Sequence, residues 1–325
     1  MRVVFIGTGE IGVPVIRWLA ESDEHELVGV VTQPDKPVGR EQRIQPTPIK
    51  AAIADVDVPV LQPERIKREE AVAAIRALAP EVIVVMAYGQ ILPRSVLEIP
   101  SIACLNLHAS LLPKYRGAAP IQAAIAAGDQ ETGITVMYMD EGLDTGDMLL
   151  EARLPIAPGE TGQSLHDRLG AIAPDALREA FRQLAAGTAP RIPQPNSEAT
   201  YAPKLEREHG HIDWNRSALA IERKIRAYDP WPGTYTTVAD QNGRGRKLKI
   251  YRAAIMAAEP GTPGKIVSVS ENGIVIGCGE GALRLTDVQL EGKKRMSAAE
   301  FVRGQPWIAS AQLASFSFPT ANPSA

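Results

Sequence analysis

The chain has only two cysteines, Cys104 and Cys278, far apart and in no Cys-x-x-Cys or Cys/His spacing. That excludes a disulfide framework and a zinc knuckle, and it leaves both thiols to be read as small buried hydrophobes. No apolar run approaches the ~18 residues that span a bilayer, and the opening strand reaches Gly7 after four apolar residues, too few for a secretion-signal core. A cytoplasmic protein with no membrane partner is expected. There is no internal repeat, no heptad seam and no long exposed apolar stripe, so the expected state is a monomer.

What is present is ordinary in amount and uneven in placement. The 325 residues are 45% hydrophobic and 22% charged, a globular composition with length for two domains or one large α/β domain. Residues 1–199 carry 18 Lys and Arg against 26 Asp and Glu, whereas residues 200–325 carry 17 against 12. The C-terminal part is therefore basic, which points to an acidic partner such as nucleic acid about as well as to a plain solvated surface.

Runs at Arg2–Ile6, Leu27–Thr32 and Glu81–Met86 alternate with helical patterns such as Ile11–Ala20, predicting a doubly wound, mostly parallel α/β sheet with helices on both faces. Ile102–Leu107, Thr132–Met139 and Asp147–Pro155 extend it, with a helix over Pro120–Ala127. A long helix capped by Thr161 or Ser164 carries Leu165, Leu169, Ile172, Leu177, Phe181 and Leu184 at helical spacing and ends at Gly187, with a kink or break expected at Pro174. Three prolines between 190 and 195 make 188–204 read as a linker. Beyond it, a helix at Ser217–Ala227 precedes short strand-like runs at Thr234–Val238, Lys247–Arg252, Gly264–Val269, Gly273–Gly277 and Ala282–Val288, the pattern of a small closed or partly open β-barrel. The expected domains are 1–187 and 205–318, with a tail at 319–325.

Gly7-Thr8-Gly9-Glu10-Ile11-Gly12 follows a strand and opens a helix, the setting of a dinucleotide fingerprint. Yet the second strand ends at Thr32-Gln33-Pro34 with no acidic residue for a ribose, and Glu10 would set a carboxylate beside a pyrophosphate. The glycines read as architectural, and no NAD(P) is expected.

More chemistry lies in the stretch from Leu105 to Pro120. Residues two apart on a strand share a face, so Asn106 and His108 point together at the end of a predicted central strand, where open α/β sheets bind ligands. An amide donor beside an imidazole suits acyl transfer: the donor stabilises an oxyanion while the imidazole moves a proton. Equally, the pair could satisfy loop backbone. The segment Met139–Asp147 packs Asp140, Glu141, Asp144 and Asp147 around two glycines. It lacks the further ligands of a calcium loop, so no metal is expected. A carboxylate that orients a histidine and an exposed self-capping turn remain as readings.

These motifs together resemble those of the folate-dependent formyltransferases, and within them the methionyl-tRNA formyltransferases. The carrying segments are Asn106-Leu-His108, Ser110-Leu-Leu-Pro113 with Lys114-Tyr-Arg-Gly-Ala-Ala-Pro120, and Leu143-Asp144-Thr-Gly-Asp147. The resemblance implies a catalytic triad of Asn106, His108 and Asp144. It places Ser110, Leu111, Leu112 and Pro113 along the tetrahydrofolate site, with Met86, Tyr88, Gly89, Leu92 and Asp140 around the pterin. 10-Formyltetrahydrofolate is then the formyl donor and methionine on initiator tRNA the acceptor, for translation initiation.

The resemblance continues through Tyr201-Ala-Pro-Lys204, Ile212-Asp-Trp-Asn215 and Ile225-Arg226-Ala-Tyr-Asp-Pro-Trp-Pro232. It implies that the second domain is an OB-like barrel that binds tRNA. The tRNA candidates are Lys36, Arg40, Arg43 and Lys50 in the loop after Thr32, Lys204, Arg226, and the edge Lys293, Lys294 and Arg295. Glu41 and Gln42 stand where this loop is expected to be more basic. Trp231 and Pro232 are expected to form a packed turn. A sugar-nucleotide formyltransferase and a formyl-folate hydrolase share the triad, and a non-catalytic binder or an NAD oxidoreductase are the remaining alternatives. The basic segments favour tRNA.

Overall fold

Val3, Val4, Phe5 and Ile6 are all fully buried, which is what a continuous apolar run becomes when its strand is covered on both faces. In the computed structural model, which describes residues 1–38, 41–240, 243–256, 262–311 and 313–314, this run is β1 (Arg2–Gly7). It is joined by β2 (Glu26–Val31), β3 (Val60–Leu61), β4 (Val82–Met86), β5 (Ala103–His108), β6 (Glu131–Tyr138) and β7 (Met148–Pro155). The order across the sheet is β7-β6-β5-β4-β1-β2-β3. β3 to β5 run parallel, while β6 pairs antiparallel with β5 and β7 antiparallel with β6. The expected doubly wound, mostly parallel sheet is thus present, and β5 lies where its strand direction reverses.

The glycine-rich turn is filled by the chain itself. A side chain on Gly7 would lie 2.6 Å from the Phe5 ring and 2.7 Å from the Met86 carbonyl, and the amides of Thr8 and Gly9 both donate to the Ala87 carbonyl at 3.2 Å. Close packing between β1, β4 and the following helix accounts for the motif. Cys104 and Cys278 are both buried and free, and burial pushes their thiols up to about 12 and about 11.

One expectation, a break at Pro174, needs correction. The helix Gly162–Ala185 runs through Pro174 without a break. Leu165, Leu169, Ala173, Ala176, Leu177, Ala180 and Phe181 are buried on both sides of the proline, and burial on that scale outweighs the ~3 kcal/mol that an interior proline costs. Residues 188–204 group with the first of two units. The chain divides into one unit of Met1–Ile121, Gln130–Ile156 and Ser164–Lys204 and a second of Gln122–Asp129, Ala157–Gln163 and the chain from Leu205 onward. Within the first, Ile192 and Met148 exchange backbone hydrogen bonds of 2.8 and 2.9 Å. Polar and backbone contacts hold this stretch, and apolar periodicity does not register them.

In the second unit the helix Ala218–Ala227 is capped by Ser217, whose hydroxyl accepts from the Ala220 amide. It packs on an antiparallel sheet of β8 (Thr234–Ala239), β9 (Gly245–Met256), β10 (Ile266–Ser270), β11 (Gly273–Gly277), β12 (Ala282–Leu290), β13 (Met296–Ser297) and β14 (Leu313–Ala314). The order is β10-β11-β12-β9-β8-β14, with β13 on β12. The Leu313 amide donates to the Gly264 carbonyl just before β10, so the two ends of the order approach each other and the sheet curls into the expected OB-like barrel. Trp214 is fully buried in its core and donates Nε1–H to Thr236 Oγ1 at 3.1 Å. Trp231, expected in a packed turn, is instead 50% exposed, with the Arg207 guanidinium 5.9 Å from its ring centroid.

Candidate active site

On β5, side-chain alternation sends Asn106 and His108 to one face, and the segment after β6 folds back to bring Asp144 against both. Asn106 Nδ2 donates to Asp144 Oδ1 at 3.3 Å, and the other carboxylate oxygen, Oδ2, lies 3.7 Å from His108 Nδ1. His108 is 6% exposed, and its Nε2 lies 2.9 Å from the Tyr115 carbonyl. A carbonyl only accepts, so Nε2 carries its hydrogen there and Nδ1 is the nitrogen left to exchange a proton beside the carboxylate. The Gly117 amide donates to Asp144 Oδ2 at 2.8 Å. Asp144 itself sits at φ +53°, a conformation a short polar side chain tolerates. Asn106 Nδ2 has two hydrogens, so one remains for a ligand while the other holds Asp144.

The other site candidates are distributed unevenly. Ser110 is buried, with its hydroxyl donating to the Lys114 carbonyl at 2.6 Å, and Leu112 is buried with its amide on Thr135 Oγ1. Leu111 and Pro113 lie on the same turn. Met86, Tyr88 and Leu92 are buried, the last two in a core cluster with Ile66, Val96 and Cys104. Burial pushes the Tyr88 hydroxyl up to about 12. At this strand end Gly89 is exposed at φ +85°, and a Cβ there would meet nothing within 4 Å, so the main chain at Gly89 is left uncovered. Asp140 accepts from the Gly142 amide at 3.0 Å and from the Thr145 hydroxyl at 2.8 Å, which ties the acidic loop into a turn.

Among the basic candidates, Lys36, Lys204, Lys293 and Lys294 are exposed. Arg43 pairs with Glu41 at 2.8 Å on the surface. Lys50 donates to Asp35 Oδ2 at 2.7 Å and to Gln62 Oε1 at 2.8 Å, and the hydrogen bonds that Asp35 accepts from Lys50 and, at 2.6 Å, from Gln62 Nε2 hold its carboxyl below the ordinary range. Arg226 is bound to both oxygens of Glu222 and to the Glu160 carbonyl. Arg295 is paired with Asp287 and lies 4.1 Å from the Tyr251 ring centroid. Arg40 lies outside the described residues.

Comparison with known proteins places the chain in a family. Residues 1–181 match the family Formyl transferase, and residues 204–306 match Formyl transferase, C-terminal domain. The chain belongs to the formyl transferase family. This formyl transferase is 48% identical over 304 residues to the methionyl-tRNA formyltransferase of Geobacter sulfurreducens, covering 94% of each chain. The methionyl-tRNA formyltransferase of Marinobacter nauticus is also 48% identical, over 94% of this chain and 96% of that one. In fold it resembles WlaRD, a sugar 3N-formyl transferase with a structure in the presence of dTDP and 5-N-formyl-THF, at a TM-score of 0.62 and 17% identity over 90% of this chain and 99% of that one.

Among the described residues of the formyl transferase no group of His, Cys, Asp and Glu is arranged to hold a metal, and no helix is long and apolar enough to cross a membrane. One contributor to the site carried no sequence signal. Gln194, inside the proline-rich stretch, donates Nε2–H to the carbonyls of Asp144 and Gly146 at 2.9 and 2.7 Å. Arg116, by contrast, was visible within the Lys114–Pro120 motif, and its side chain reaches this same glutamine.

Proposed function

We propose that this formyl transferase moves the formyl group of 10-formyltetrahydrofolate to the α-amino group of methionine on initiator tRNA, with Asn106, His108 and Asp144 as the catalytic residues. The observation that carries the reading is the convergence of an amide, an imidazole and a carboxylate within 3.3–3.7 Å on one face of β5. The methionine amine attacks as the free base, its nitrogen forming a bond to the formyl carbon while the carbonyl oxygen takes up negative charge. Asn106 places its free amide hydrogen on that oxygen. Asp144 and His108 Nδ1 receive the proton released by the attacking nitrogen and return one to N10 of the folate as the old C–N bond breaks. Formyl-methionyl-tRNA and tetrahydrofolate are the products.

The folate fits the residues present by way of the turn at Ser110–Pro113, Asp140 and the uncovered main chain at Gly89, with the side chains of Met86, Tyr88 and Leu92 supporting that strand end from the core. The first domain is the catalytic one and the barrel binds tRNA, helped by the exposed Lys36, Lys204, Lys293 and Lys294. The three catalytic residues come from one chain and one unit, in keeping with a monomer, and the role in translation initiation places it in the cytoplasm.

The test is formyl transfer from 10-formyltetrahydrofolate to methionyl-initiator tRNA, run beside an amino-sugar nucleotide and a no-acceptor control, for wild type and His108→Ala. Transfer to the charged tRNA that disappears with His108 supports the reading. Turnover with the sugar nucleotide alone, or with water alone, sinks it.

A further inference from the structure

Arg116 is among the largest fully buried side chains, 2% exposed, and a buried guanidinium is costly to desolvate unless its donors are met. Here it is met by neutral amides. Nε and Nη2 donate to Gln194 Oε1 at 3.0 and 2.9 Å, and Nη2 donates also to Asn196 Oδ1 at 3.0 Å. With its oxygen taken by Arg116, Gln194 is fixed in orientation, and its amide hydrogens are aimed at the carbonyls of Asp144 and Gly146.

The neighbours of Arg116 give this arrangement its consequence. Tyr115, on one side, supplies the carbonyl that takes His108 Nε2, and Gly117, on the other, supplies the amide on Asp144 Oδ2. Arg116 and Gly117 pair in parallel with Tyr201 and Ala202, so the segments 115–117, 144–146 and 194–202 are tied to one another. Asp144 sits in the left-handed region, a backbone conformation that persists only where surrounding contacts over-determine it.

We infer that Gln194, clamped by Arg116, is a positioning residue: it holds the Asp144 backbone so that the carboxylate faces His108 and Asn106. The inference rests on the proposed catalytic role of Asp144 and adds a residue from outside the three motifs. A misplacement of about 1 Å in such a group can cost ~10²-fold in rate.

Gln194→Glu separates the two halves of the role. It keeps an acceptor for Arg116, now a charged one, but has no hydrogen to give to Asp144 or Gly146. Gln194→Ala removes both. For each variant, with folding checked by thermal unfolding, kcat for formyl transfer is expected to fall ~10–100-fold while KM for the formyl donor stays within about threefold. In an Asp144→Ala background the same changes are expected to add little, because there is no carboxylate left to position. Wild-type kcat in both variants, or an undiminished loss in the Asp144→Ala background, overturns the inference. Amide hydrogen exchange across 140–147 is read in parallel and is expected to quicken in both variants; unchanged exchange also overturns it. If wild type does not formylate methionyl-tRNA, the acceptor reading fails instead, and the exchange measurement alone decides the role of Gln194.

Discussion

The Gly117 amide hydrogen and His108 Nδ1 address the same oxygen of Asp144, at 2.8 Å and 3.7 Å respectively. One is a fixed backbone donor at hydrogen-bond distance and the other a ring nitrogen just beyond it, so the carboxylate is anchored on one side and faces the imidazole on the other. Gly117 is at φ +116°, and a Cβ there would lie 2.7 Å from the Ala202 carbonyl. Gly117→Ala is therefore expected to destabilise the fold by ~1–3 kcal/mol and to lower kcat by displacing the donor from Asp144. Thermal unfolding and single-turnover formyl transfer on the same preparation check both effects; a variant with wild-type kcat would show that this anchor is dispensable.

Asn106 holds Asp144 with one amide hydrogen, and the proposed function assigns the other to the developing oxyanion. Asn106→Ala is expected to lower kcat by about 10²–10³, the usual cost of removing one such donor. Folate affinity should change little, since the interaction strengthens only in the transition state. Equal losses in kcat and in tetrahydrofolate affinity, measured by equilibrium binding, would place Asn106 in substrate binding instead.

How far these residues could be read from the sequence depends on whether local pattern or long-range contact defines them. Asn106 and His108 were legible because strand alternation alone puts them on one face, and the strands β1, β2 and β4 to β7 are bounded within a residue or so of their apolar runs. The barrel strands β8 to β12 were legible for the same reason, whereas the two-residue β13 and β14 were not. Asp144 could be nominated but not oriented, because its approach to β5 depends on a left-handed backbone and on Gly117, 27 positions away. Gln194 was hidden, since its partners at 116, 144 and 146 are remote and prolines on both sides erase any periodicity. The short β3 and the helix Glu69–Ala77 carry too little signal as well: two strand residues give too little pattern, and that helix buries only Val72 and Ile75.

Lys224 in the second unit offers a stability prediction that does not depend on the active site. Its Nζ donates to the His211 carbonyl at 2.7 Å, and burial, with a smaller contribution from Arg216 and against the pull of Asp213, brings its pKa down to about 8. Below pH 8 both folded and unfolded chains carry the proton, so the folded state bears the cost of a buried charge. Between pH 8 and about 10.5 the folded protein has released the proton and the unfolded chain still holds it. The unfolded state then binds more protons, and stability must rise with pH. Relative to Lys224→Met, wild type is expected to gain on the order of 2 kcal/mol across that window. Denaturant titrations of both proteins at pH 7.5, 9 and 10 measure it, and a flat difference would mean that water reaches the ammonium group.

The basic residues separate into those already engaged and those exposed, and that separation predicts how tRNA binding responds to salt. Lys50 is held by Asp35 and Gln62, so its charge is balanced within the fold, whereas Lys293 and Lys294 project from the barrel edge with no ion pair among the described residues. Each phosphate contact made by a released cation steepens the dependence of log K on log salt by about 0.7–0.9. Replacing both Lys293 and Lys294 by alanine is expected to weaken tRNA binding and reduce that slope by ~1–2, with folate turnover chemistry intact at saturating tRNA. Lys50→Ala is expected to leave the slope unchanged and to lower the unfolding temperature, because Asp35 and Gln62 Oε1 lose the donor they share. Filter-binding titrations from 50 to 200 mM salt distinguish the two. A lower slope in Lys50→Ala would show that Lys50 leaves Asp35 to meet the nucleic acid, and that the loop after Thr32 rearranges when tRNA binds.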